Sequence, residues 1–178
     1  MRVVSIIPAR GGSKGINLKN LVILNQKPLL YYTVMASLES KIINKTVVST
    51  DNKKIGKTAL ELGAEVVYRP KKLATDTAPL EPVVDHVLAH LEEYQDYNPE
   101  IIVILQNTSP LRTAKHIDEA LTLMKKKKYD TVVDFEWWKN MSTRKGLPKG
   151  HPFLDRENRP DGYGGKKTIV KESDTKPK

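Results

Sequence analysis

Residues 2–15 read RVVSIIPARGGSKG. Val3–Ile7 is a largely apolar, β-branched run, the pattern of a strand covered on both faces. Pro8 ends it, and Arg10, Gly11, Gly12, Ser13, Lys14 and Gly15 follow as a polar, glycine-rich turn. Buried strands of this kind belong to parallel sheets with helices on both faces, so the rest of the chain should alternate strand and helix.

It does. A helix is expected from Pro28 through KPLLYYTVMASLES, and a strand over 45–50. DNKKIGKTALELG follows as a helix, capped by Asp51 and stopped by Gly63. A short strand is expected over 64–69, then the loop LATDTAP and the helix LEPVVDHVLAHLEEY, with Pro82 tolerated in its first turn. Residues 101–106 (IIVILQ) form the most hydrophobic strand, expected to be central. NTSPLR is a loop, TAKHIDEALTLMKKKK a helix, and 130–135 (DTVVDF) a further strand. The order predicts an α/β, three-layer Rossmann-like domain with a mostly parallel sheet and right-handed crossovers. From Trp137 the periodicity stops, so the expected division is an α/β domain over 1–136 and an irregular, partly disordered arm or tail over 137–178.

Composition narrows the class of function. The 178 residues are 39% hydrophobic and 29% charged, ordinary for a soluble chain. No apolar run approaches the roughly 20 residues of a membrane-spanning helix, and the N-terminus does not read as a signal peptide. The absence of cysteine excludes a disulfide scaffold and fits a reducing cytoplasm. The formal net charge of +9 is concentrated late in the chain: residues 139–178 hold 11 of the 30 Lys and Arg but 5 of the 21 Asp and Glu. Lys125–Lys128 ends a predicted helix, where cations meet the dipole favourably. The body carries no basic stripe interleaved with aromatics, so neither a nucleic-acid nor a membrane partner is expected.

In an open parallel sheet, ligands gather at the carboxyl ends of the strands. Three polar loops leave such ends, over 8–20, 69–78 and 106–113. In the first, glycines let the backbone approach a bulky anion with its amides turned inward, while Arg10 supplies a planar fork and Lys14 a point charge. That combination suits a polyphosphate. The spacing is neither the G-x-x-x-x-G-K-[ST] loop of ATPases nor the dinucleotide G-x-G-x-x-G. Asp51 reads as a helix cap and Asp76 as a residue that orders its own loop. His86, His90 and His116 lie on helices without metal-ligand spacing and are given no role. Trp137 and Trp138 suit a packed interface.

IIPARGGSKGINLKNL, VVSTD, RPKKLATDTA and LQNTSPLRTAKHIDEA, in this order and spacing over residues 1–135, resemble the acylneuraminate cytidylyltransferases, also called CMP-sialic acid synthetases. The resemblance implies a nucleotidyltransferase. The anomeric hydroxyl of a nonulosonic (sialic-like) acid attacks the α-phosphorus of CTP, giving a CMP-sugar and pyrophosphate, with Mg2+ on the phosphates. It implies Arg10 and Lys14 as catalytic residues holding the triphosphate, assisted by Gly11, Gly12 and Ser13. It also implies Asn20 near ribose and phosphate, and Arg69 and Ala78 beside the cytosine, Ala78 through its backbone. Gln106, Thr108, Ser109 and Arg112 are implied on the sugar side, Arg112 as either a contact or a clamp of its loop. The family's dimers exchange an excursion corresponding in position to 137–165, so a homodimer is expected.

The sequence departs from that pattern in places. Pro79 and Leu80 stand where two serines are common, and Leu80 has no group to read a base edge. Asn17 stands where proline is usual. No D-x-D pair is found at the family's metal position; Asp134 and Glu136 have the spacing but lie elsewhere. The readings that remain are a working CMP-sugar synthetase, a truncated and catalytically impaired nucleotide-binding member, and a nucleotidyltransferase with another base or sugar preference.

Overall fold

The computed structural model describes residues 1–12 and 15–127. Ser13, Lys14, the strand expected over 130–135 and the arm expected from 137 onward lie outside the described residues. The chain divides into a unit Met1–Asp118 and a second, Glu119–Lys178; the site belongs to the first.

Strand β1 (Val3–Pro8) leads through the glycine turn and a 3-10 turn (Lys19–Leu21) into a small hairpin, β2 (Ile23–Leu24) and β3 (Lys27–Pro28). Helix α1 (Leu29–Leu38) follows, then β4 (Lys45–Thr50), α2 (Lys53–Glu61), β5 (Glu65–Tyr68), α3 (Glu81–Gln95), β6 (Ile101–Ile104) and α4 (Ala114–Lys127). The main sheet has the order β5-β4-β1-β6 with every neighbouring pair parallel. Among the described residues β6 pairs with β1 alone, while β1 and β4 each have two neighbours. Ile102 and Ile104 share an exposed face of β6.

Alternation along β1 explains the layering. Val4 and Ile6 join Val47 and Val67 beneath Val87 and Leu91 of α3. Val3, Ser5 and Ile7 point to the opposite face, where α1 and α2 pack on β4 and on each other. The polar member of that face is satisfied: the Ser37 hydroxyl lies 2.5 Å from that of Ser5 and 2.7 Å from that of Thr46, a buried hydroxyl chain joining α1 to two strands. The result is a helix–sheet–helix sandwich, as the sequence predicts.

Two local details differ from expectation. Asn52, not Asp51, caps α2, its side chain accepting from the Lys54 and Ile55 amides. The β2–β3 hairpin was not expected; it turns through Asn25 (φ 45°) and Gln26 (φ 67°), the two left-handed residues of a tight hairpin turn. Gly63 does stop α2, at φ +93°.

Candidate active site

Because the four strands are parallel, Pro8, Thr50, Tyr68 and Ile104 end on one edge, and the loops behind them meet there. Ala9 N–H donates to the Ser49 carbonyl (2.9 Å), Arg69 N–H to Thr50 (2.9 Å) and Leu105 N–H to Ile6 (3.0 Å), so each loop starts from an anchored residue. Between the first and third loops lies a cleft of about 170 Å³ lined by Pro8, Arg10, Gly12, Lys19, Asn20, Gln106, Asn107 and Thr108.

Arg10 connects all three loops. Its guanidinium pairs with Asp76 of the second loop at 2.6 Å. Its carbonyl accepts from Asn20 Nδ2 at 3.0 Å, and Asn20 Oδ1 accepts from Asn107 Nδ2 of the third loop, also at 3.0 Å. Asp76, expected to order its own loop, also reaches across to Arg10. Asp51, displaced from the cap position by Asn52, accepts the Gly11 amide at 2.8 Å. That amide was expected to face an anion, and it is spent on the protein.

Gly11 is buried because the loop crosses the start of α2 closely: a β-carbon there would meet Asn52 Cβ at 2.9 Å. At Gly12 the same construction meets nothing within 4 Å. Of these two glycines, only Gly12 leaves open space, as Gly15 also does.

Arg69 is buried, 7% exposed, and its Nε has no hydrogen-bond partner. Burial lowers its pKa from the ordinary range; Asp51 opposes that shift and the nearby Arg10 adds to it. Arg69 and Ala78 stand in the second loop and are not walls of the cleft; the Ala78 amide closes a turn onto Thr75. Gln106 and Thr108 line the cleft. Arg112 braces its own loop, its guanidinium donating to the Gln106 carbonyl at 3.2 Å and its amide to Ser109. Ser13 and Lys14 are outside the described residues.

Two cleft residues escaped the sequence reading. Lys19 brings a second cation to the cleft that Arg10 lines, and Asn107 is almost fully buried, 3% exposed. Adjacency is the signal for both: Lys19 precedes Asn20, and Asn107 lies between Gln106 and Thr108. Among the described residues no group of three His, Asp or Glu side chains is arranged to hold a metal. Asp76 pairs with Arg10, and Asp51 accepts the Gly11 amide. No helix among the described residues is long and apolar enough to cross a membrane.

A cleft at the carboxyl edge of a parallel sheet is where open α/β folds place their ligands. The N-acylneuraminate cytidylyltransferase of Escherichia coli O18:K1:H7 is 41% identical over 133 residues, 74% of this chain and 30% of that protein. The CMP-N,N'-diacetyllegionaminic acid synthase of Legionella pneumophila is 34% identical over 166 residues, 88% of this chain and 70% of that protein. The chain thus spans about a third of the E. coli relative and most of the Legionella one. Among solved structures, a CMP:2-keto-3-deoxy-manno-octonic acid synthetase complexed with CTP has the same fold, with a TM-score of 0.58 at 19% identity over 71% of this chain and 48% of that one. The sequence model described as "Cytidylyltransferase" matches residues 4–147, and the chain belongs to that family.

Proposed function

We propose that the protein binds CTP in this cleft and transfers its CMP group to the anomeric hydroxyl of a sialic-acid-like 2-keto sugar acid. The sugar oxygen forms a bond to the α-phosphorus, the bond from that phosphorus to the β-phosphate oxygen breaks, and pyrophosphate and the hydroxyl proton leave. The observation that carries this reading is the linking of the three strand-end loops through Arg10 and Asn20, with Lys19 lining the same cleft. Fixed cations offset the charge that develops on phosphate oxygens during displacement, and they need no covalent intermediate.

Arg10 and Lys14 are the catalytic residues of this reading, with Gly11, Gly12, Ser13 and Asn20 shaping the phosphate side. Lys14 and Ser13 enter through the motif they share with the family. Arg69 and Ala78 stand toward the base. Gln106, Thr108 and Ser109 stand toward the sugar acid, with Arg112 holding their loop. Magnesium belongs to the same reading, carried in on the triphosphate oxygens; the described carboxylates do not form a cage for it, and no step here runs through it. A cytoplasmic homodimer completes the proposal.

One observation favours keeping a second base preference open. Leu80 occupies the N-cap of α3 and gives that helix no side-chain cap, so a hydroxyl is missing where one would serve both helix and base. The test is a panel of CTP, UTP, ATP and GTP against several nonulosonic acids, scored by pyrophosphate release with magnesium. Release with CTP and a sialic-type acid is expected. CTP binding without turnover would make the protein a nucleotide-binding member only, and release with another nucleotide would move the base preference. Arg10→Ala should lower turnover by about a hundredfold; unchanged turnover would remove Arg10 from the chemistry.

A further inference from the structure

We propose that Asn107 is a positioning residue for the phosphate-facing turn, holding the Arg10–Gly11 peptide in one orientation through Asn20. This rests on the reading of that turn as a phosphate site. The Arg10 carbonyl and the Gly11 amide are the two polar ends of one peptide unit. The carbonyl accepts from Asn20 Nδ2 and the amide donates to Asp51 Oδ1. A peptide clamped at both ends cannot flip, so the direction in which the Arg10 side chain leaves the backbone is fixed as well.

The direction of the hydrogen bonds makes Asn107 the origin of that clamp. A carbonyl can only accept, so Asn20 must turn its NH2 toward Arg10, which leaves Asn20 Oδ1 facing the third loop. Oδ1 in turn needs a donor, and Asn107 Nδ2 supplies it at 3.0 Å across 87 residues of sequence. Turning the Asn107 amide over would set two carbonyl oxygens against each other. The orientation has a cost: Asn107 Oδ1 is buried with no hydrogen-bond partner. An apolar residue would fill the same space without that orphan acceptor, so the amide is explained by its donor, and the donor by Asn20. Asn107 and Asn20 are 3% and 7% exposed, so water is a poor substitute for either contact.

Asn107→Asp keeps the shape and removes the donor. In the full chain without ligand, site-resolved amide exchange should show the Gly11 amide exchanging about tenfold faster, although Gly11 does not touch Asn107. The amides of Val47 and Val48 in the core should be unchanged, which a general loss of stability would not permit. Affinity for inorganic triphosphate, read by calorimetry, should fall about tenfold, and Asn20→Ala added to Asn107→Asp should cause no further loss, since both break one chain. Asn107→Ala is the substitute if the aspartate variant does not fold. Unchanged Gly11 exchange, or additive losses, would overturn the proposal. If the unsubstituted protein binds no triphosphate, the nucleotide reading fails, while Gly11 exchange still decides whether Asn107 positions the turn.

Discussion

Arg10 and Asp76 form an ion pair at 2.6 Å between the first and second strand-end loops, each side chain about one third exposed. The fork that would hold a triphosphate is thus met by a carboxylate of the protein, and a phosphate must share Arg10 with it or displace it. A pair this exposed contributes little to stability, on the order of 0.2–1 kcal/mol, so displacement is cheap. Asp76→Asn should tighten inorganic triphosphate or CTP by up to about fivefold, measured by calorimetric titration at low salt. Weaker binding in that variant would instead make Asp76 the group that aims Arg10.

The two glycines beside Arg10 should answer differently to the same change. Gly11→Ala drives a β-carbon into Asn52 Cβ, a backbone-bound atom that cannot swing away. The loop must lift from α2, and a loss of about 1–3 kcal/mol is expected. Gly12→Ala meets open space, so its melting temperature should stay within a degree or two of the parent (~0.5 kcal/mol or less). Denaturant melts of both variants decide this; equal losses would contradict the close crossing at Gly11.

Asp51 and Asn52 divide two tasks that either residue type performs. Asn52→Ala removes the acceptor for the Lys54 and Ile55 amides and should cost about 1 kcal/mol. Asp51→Ala unties Gly11 and should cost about 1–2 kcal/mol, with a loss of triphosphate affinity that Asn52→Ala does not share. Asp51→Asn keeps an acceptor for Gly11 and should retain that affinity, while leaving the buried Arg69 with less opposing charge. The three variants are compared by thermal melting and triphosphate titration.

That division shows what the sequence could and could not convey. Val3–Ile7 and Lys45–Thr50 were legible because short β-branched, largely apolar runs mark strands covered on both faces. The cap was misplaced by one residue because Asp and Asn cap equally well, and the choice fell to a tertiary demand: Gly11 needed an acceptor. The hairpin at Asn25–Gln26 lacks the Asn-Gly signature that would announce two left-handed residues. Arg10, Gly12, Asn20, Gln106 and Thr108 were found as cleft residues through the turn chemistry and the motifs around them. Asn107 and the pairing of Asp76 with Arg10 were not, because those partners are set by strand order, and no local pattern encodes which loop lies opposite.

The pH dependence of stability should carry a signature of His86. The imidazole is pushed below its ordinary value of 6.5, first by burial and then by the charges of His90, Arg69 and Lys72, and its Nδ1 is buried with no hydrogen-bond partner. The unfolded chain therefore binds a proton near pH 6.5 that the folded chain refuses. Stability rises with pH wherever the unfolded state holds more protons, so the contribution is intact above 6.5 and is lost as pH falls from there toward the lowered folded value. His86→Gln keeps a polar side chain without the titration. Melting temperatures taken from about pH 7.5 down to about pH 5.5 should fall less steeply in the variant than in the parent, with the curves closest at the upper end. Parallel curves would mean that His86 is not protonated on unfolding in this range, and that the cationic surroundings of the second loop do not reach it.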